Sequence, residues 1–140
     1  MVRFRRAALW AGAIVLAMAF VAVGVSKFEG PSAMRWSDRF EQWGYPPNAR
    51  YVVGVLEVVG GAAVLIPRCR RAASLTLGIL MTGALCTHVV HAEFTRVIPP
   101  LVLGGLALLM YWSHGRLRES GRPMATREGE TVETTKRRPD

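Results

Sequence analysis

The sequence predicts an all-α protein: a four-helix transmembrane up-down bundle, with a short interfacial helix in the first loop and a disordered C-terminal tail. Two observations lead there. Four long segments are almost free of charge, although the chain as a whole is 51% hydrophobic and 20% charged, averages that a soluble domain also shows. The basic residues gather at the ends of those segments, where membrane proteins carry them. The 140 residues suffice for one domain, with residues 1–112 as the membrane part and residues 113–140 as a basic cytoplasmic tail. Two cysteines exclude a disulfide scaffold and a cysteine-rich metal module. A net charge of +8 would point a soluble chain to nucleic acid. Here it flanks apolar segments, so the lipid bilayer is the expected partner and nucleic acid is not.

The first apolar run, residues 7–25, carries no charge and as a helix measures about 28 Å, against roughly 30 Å of hydrocarbon. A cleaved signal peptide behind Arg3, Arg5 and Arg6 is the rival reading. The run exceeds the usual ~7–15 residues, and no small-x-small site introduces a soluble chain. The second run, residues 51–66, holds Glu57; the third, residues 72–90, holds His88; the fourth, residues 97–112, is uncharged. The second and fourth are short, so flanking residues or a thinned bilayer complete them. The spans are placed at about residues 7–26, 51–66, 72–92 and 97–112, with the second the weakest.

Orientation follows from the basic residues. Arg3, Arg5, Arg6, the Arg68, Arg70, Arg71 turn opened by Pro67, and Arg116, Arg118, Arg122 share one side. Lys27, Arg35, Arg39, Arg50 and Arg96 share the other, diluted by Glu29, Asp38 and Glu41. Both termini are therefore expected in the cytoplasm, in a multi-pass protein of the inner or plasma membrane.

Residues 26–50 are long for a loop. Ser32 after Pro31 is expected to cap a short helix that Gly44 ends. Trp36, Phe40 and Trp43 recur at i, i+4, i+7, one aromatic face, with charges elsewhere. That helix lies at headgroup depth or folds onto the mouth of the bundle; an irregular aromatic loop is the alternative. The sequence Tyr45-Pro46-Pro47-Asn48 then turns into span two. Residues 113–140 are polar and expected to be disordered, with Lys136-Arg137-Arg138 able to touch anionic lipid.

The functional argument rests on ionisable groups at membrane depth. A carboxylate in hydrocarbon costs at least about 2.5–3.5 kcal/mol, so it faces the interior with a partner. Gly54 and Gly61 lie on the face of Glu57, and small residues mark close helix approach. Glu57 lies about 9 Å below the outer edge, and His88, about 24 Å along its helix, reaches a similar level. A Glu57–His88 contact is expected, with Thr82 and Thr87 adding hydrogen bonds. Lys27 either snorkels to water or turns in to Glu57. His91 and Glu93 follow at the rim. The candidate ligand or proton site is thus Glu57, His88, Lys27, Thr87 and His91, with Gly54 and Gly61 for helix packing. Interhelical glue is the structural alternative for the Glu57–His88 pair.

Other chemistries lack support. His88 and His91 share one helix and His114 lies at the other face, so two histidines cannot clamp a haem. His88, His91 and Glu57 make a weak metal set, and no metal is expected. Cys69 and Cys86 lie at opposite ends of one helix, and Cys86 is expected to be a buried small hydrophobe. Ser74 is at the wrong end of its helix from His88, and no phosphate loop or dinucleotide fingerprint occurs.

The order of these features resembles the DoxX family, in its DoxX-like branch. Lys27-Phe28 closes span one, and Phe40…Gly44-Tyr45-Pro46 follows in the loop. The run from Tyr51 through Gly54 and Glu57 to Gly60-Gly61 resembles the family's Y-x-x-G-x-x-E-x-x-G-G, and Met81…Gly83-Ala84…Thr87-His88 its M-x-G-A…T-H. Pro99 opens the last span. The resemblance covers roughly residues 8–112. The family-typical positions are Lys27, Gly44, Pro46, Gly54, Glu57 and His88. It implies a four-helix membrane bundle and, through relatives such as thiosulfate:quinone oxidoreductase subunits and an oxidative-stress-related membrane complex, membrane redox work. The resulting expectation is an accessory subunit, rather than a stand-alone enzyme, that binds a quinone or passes protons beside redox partner proteins. A small-molecule/proton transporter and a purely structural subunit are the alternatives; a homo-oligomer is compatible with each.

Overall fold

A computed structural model describes residues 2–46 and 48–119. Those residues are helical apart from short connections. The elements are α1 (Val2–Val25), α2 (Gly30–Gln42), α3 (Ala49–Val64), α4 (Arg70–Val90) and α5 (Ile98–Glu119), with a 3-10 turn at Phe94–Arg96 before α5. Three stretches are long and apolar enough to cross a membrane: Arg6–Val25, Arg70–Val90 and Phe94–Ser113. The expected second span does not reach that length. Helix α3 has 16 residues, about 24 Å, because the Pro67 turn stops it at one end and the Pro46 turn at the other.

Helix α1 packs on α3 and α4 packs on α5, while α3 joins α4 and α1 meets α5. Glycines set the closest approaches. The backbone of Gly24 faces Gly54, and that of Gly61 faces Phe20 and Ala17, so α1 and α3 run antiparallel with almost no side chain between them. Gly60 receives Leu77 of α4, and Gly104 of α5 receives Met81. The core is one face of each helix: Ala13, Leu16 and Phe20 of α1, Val64 of α3, Leu77 and Met81 of α4, Ala107 and Met110 of α5. The opposite faces are exposed Leu, Val and Ile, including Val15, Val59, Leu101 and Leu109. A soluble protein of this size would hide such surface; lipid is its natural solvent.

The molecule therefore has two distinct ends. At the turn end, residues 65–69 link α3 to α4. Arg70 is buried there, its Nε donating to the Val64 carbonyl at 2.8 Å and its guanidinium 4.5 Å from the Trp10 ring centroid. At the other end, α2 folds back over the openings between the long helices. Pro31 starts α2 in its first turn, and Gly44, at φ +75°, ends it. Ser32 does not cap it, contrary to expectation; Glu29 holds the N-cap position, and the Ser32 hydroxyl instead accepts from Arg35 at 2.7 Å. Helix α5 also departs from expectation. It continues to Glu119, through residues expected to be irregular, while the rest of the expected disordered tail, with Pro47 of the turn, lies outside the described residues.

Candidate functional site: a cavity beneath the aromatic helix

The end covered by α2 holds a half-open cavity of about 970 Å³, bordered by α1, α2, α3, α4 and α5. The sequence builds each wall. Trp36, Phe40 and Trp43, on one face of α2, form the roof; Phe40 is buried, with its ring centroid 6.4 Å from Trp36 and 5.5 Å from Trp43. Of the two expected placements for this helix, the bundle mouth is the observed one. The Trp36 indole N–H donates to Ser26 Oγ at 3.2 Å, which ties the roof to the end of α1.

Lys27 turns inward. Its Nζ lies 2.5 Å from Glu57 Oε2 and 4.2 Å from the Trp36 ring centroid. Lys27 is 2% and Glu57 3% exposed, so the pair is shut from bulk solvent yet borders the cavity. The cause is the glycine face: the Gly24–Gly54 approach brings Glu57 Cβ against the end of α1, beside Lys27. A buried carboxylate and ammonium stabilise each other's charge, and each would be costly alone.

The expected Glu57–His88 bond is absent. His88 is buried and borders the same cavity, but its Nδ1 bonds Glu93 Oε2 at 2.8 Å, and its ring stands edge-on to Trp43 at 5.3 Å. Glu93 in turn accepts from Arg96 Nη1 at 2.7 Å. This latch depends on Ala92, which ends α4 at φ +55° and swings Glu93 back over His88. Burial pushes the Glu93 carboxyl up, but the His88 and Arg96 hydrogen bonds and charges outweigh it and hold it below the ordinary glutamate value. Thr87 donates to the Gly83 carbonyl at 3.0 Å, so the Tyr45 hydroxyl, 2.8 Å away, donates to Thr87.

Lys27, Glu57, Thr87 and His88 thus share one cavity, but Glu57 bonds Lys27 and His88 bonds Glu93, so they form no single cluster. His91 does not join them: it is exposed at the α4 terminus, with its ring centroid 6.3 Å from Trp43. Thr82 bonds its own helix, at the Gly78 carbonyl. Cys86 is exposed rather than buried. The sequence places Arg39, Arg50 and Arg96 on this side and Pro99 at the start of the last span, but it does not show that they, or Leu103, adjoin the site. Arg39 and Arg96 border the cavity, and Arg50 donates to the Lys27 carbonyl and the Tyr51 hydroxyl. The one available signal was their position beside the aromatic face and the last span.

The arrangement offers a large, mostly apolar space with an ammonium, a carboxylate, an imidazole and a hydroxyl at its wall. Such a site suits a small molecule with an apolar body and hydrogen-bonding oxygens. Among the described residues, no three His, Cys, Asp or Glu side chains converge as a metal set. No curated protein and no solved structure matches the chain. The model of the DoxX-like family matches residues 11–110, from the middle of α1 to the core of α5 and across every wall of the cavity. With that match over most of its length, this membrane protein belongs to the DoxX-like family.

Proposed function

We propose that the chain crosses the cell membrane four times as a helix bundle with both termini in the cytoplasm. In this reading it is an accessory subunit of a quinone-linked redox system, and its cavity holds the quinone head group. The observation that carries this reading is the Lys27–Glu57 pair: two buried charges, bordering a largely apolar cavity of about 970 Å³. A purely structural pair has no need to border a cavity. A partner oxidoreductase supplies the electrons for quinone reduction. Lys27 donates a hydrogen bond to a quinone carbonyl, and the Lys27–Glu57 and His88–Glu93 pairs hold and replace the protons that the reduced oxygens take up.

Two features support a fourth crossing through α3. It runs beside α1 from Gly24 to Ala17, and its end is fastened by Arg70 to Trp10, near the start of the α1 span. A locally thinned bilayer accommodates its length. Cys69, exposed in the α3–α4 turn, tests it directly. With four crossings, a membrane-impermeant maleimide labels Cys69 only from the cytoplasmic face; labelling from the outer face would place α3 on one side of the membrane.

The site is tested through Trp36 and Trp43, which border the cavity. A soluble benzoquinone should quench them saturably in the purified full-length protein. The Lys27→Met/Glu57→Leu double variant, which removes both charges together, should weaken that binding about tenfold or more, the worth of a hydrogen bond to a charged group. Non-saturable quenching, or identical affinity in the double variant, would refute the site and leave a structural subunit.

A further inference from the structure

The polar and apolar parts of the cavity lie at different places along its walls. The polar groups gather under the roof, Lys27 after α1, Arg39 on α2, Glu57 on α3 and Thr87 and His88 near the end of α4, whereas Ile79, Leu80 and Met81 of α4 and Leu103 of α5 are apolar. The cavity also has a side facing the membrane. Val52 of α3 and Ile79 of α4 border it, yet they are 61% and 65% exposed. Gly83, between the roof and Ile79 on α4, borders it too, and a side chain there would meet nothing within 4 Å. The reason lies at the other end of these helices. The short turn and the Gly60–Leu77 contact hold α3 to α4 near the turn end, whereas Val52 and Ile79, further from that turn, stay exposed. The gap reaches Ile79, nine residues or about 14 Å along α4 from His88, which is well into the hydrocarbon.

We infer that this gap is a lateral portal: the ligand is a membrane amphiphile with a compact hydrogen-bonding head and one long apolar chain, which enters from the bilayer between α3 and α4 with its head at Lys27 and leaves its chain across Val52, Ile79 and Gly83. Charge supports the head's place. Arg39 has no carboxylate partner among the described residues, while Lys27 and Arg96 have theirs, so the polar part carries a surplus cation that suits electron-rich head-group oxygens. Size supports the chain: the cavity lies at the top of the ~300–1,000 Å³ range that holds whole small ligands. This inference rests on the proposed quinone site and adds the route and the chain.

The test uses full-length protein in lipid nanodiscs and a benzoquinone whose decyl chain carries a diazirine. Photolabelling should fall on Val52, Ile79 and their neighbours and be competed by unlabelled decyl-benzoquinone. Gly83→Phe, placed in open space, should cut it at least fivefold, whereas Gly105→Phe, at an equally open α5 position away from the cavity, should leave it unchanged. Labelling spread over the lipid-facing residues of α5, or insensitive to Gly83→Phe, while chainless benzoquinone still quenches the tryptophans, would overturn the portal and spare the site. Loss of both signals in the wild-type protein would overturn both.

Discussion

At the cavity end, Lys27 is held by a carboxylate 2.5 Å away, beneath an aromatic roof and beside a cavity. At the turn end, Arg70 is also little accessible, 4% exposed, yet the described residues give it only the Val64 carbonyl and the Trp10 ring. Among the described residues its Nη2 and the Ser74 hydroxyl have no hydrogen-bond partner. The contrast separates two uses of a buried cation. Arg70 is a clamp: a planar group that ties α1, α3 and α4 together near the membrane edge, where its charge needs little compensation. Lys27 is a compact charge taken further from water, and the fold supplies an acid from another helix to keep it there.

Breaking the cavity-end pair on one side should therefore have the largest effect. Glu57→Ala leaves an unpaired buried ammonium and should destabilise by about 3–5 kcal/mol, whereas the Lys27→Met/Glu57→Leu double variant should recover most of that loss. Thermal unfolding in detergent reads both; additive single and double effects would deny the coupling. The α1–α3 contact comes next. In Gly24→Leu the new Cβ alone would meet Val58 Cγ2 at 2.7 Å and the Gly54 carbonyl at 2.9 Å. Overpacking of that kind costs about 1–3 kcal/mol, and since it levers Glu57 from Lys27, it should also weaken quinone quenching. At the turn end, Arg70→Met keeps the stem over Trp10 and removes an incompletely paired charge. It should cost less than about 1.5 kcal/mol, no more than one hydrogen bond to a charged group. A loss as large as that of Glu57→Ala would erase the distinction between the two ends.

The inventory of the site was legible in the sequence, and its wiring was not. Lys27, Glu57, Thr87 and His88 stood out as polar groups in or beside apolar runs, and Gly54 and Gly61 marked the correct contact face. Depth along a helix, however, gives level and not direction. Glu57 and His88 reach similar levels, but Glu57 shares the α1-facing stripe of Gly54 and Gly61, while His88 turns beneath Trp43. The partner of His88 is five residues away, a spacing no regular helix brings into contact. It needs a left-handed residue between them, and an alanine does not announce one. The cavity was equally hidden, since Val52, Ile79 and Leu103 read as ordinary lipid-facing or core residues until three helices fix which space they share.

The smaller tests concern the latch, which has no counterpart at the turn end among the described residues. Glu93 carries a depressed folded value, so its contribution to stability is fully present above the ordinary glutamate value of 4.5 and is lost as pH falls through the lower folded value. Thermal stability should drop in that acid window, and Glu93→Gln should flatten the drop. An unchanged acid profile in Glu93→Gln would mean that the latch carries no coupling.

Backbone strain follows the same division. The left-handed residues of the described chain, Gly30, Gly44 and Ala92, all lie at the cavity end, and Ala92 alone among them is not glycine. Its φ of +55° crowds Cβ against the following carbonyl, at a cost of about 1–2 kcal/mol that glycine avoids. Glycine also gives the unfolded chain about 0.5–1 kcal/mol more entropy to lose. Ala92→Gly should therefore stabilise the protein by only about 0.5 kcal/mol, a small rise in the unfolding midpoint. It should do so without altering the acid window, because Glu93 returns to His88 through the same turn. Destabilisation by Ala92→Gly would mean that the methyl group, rather than the backbone angle, holds the latch closed over the cavity.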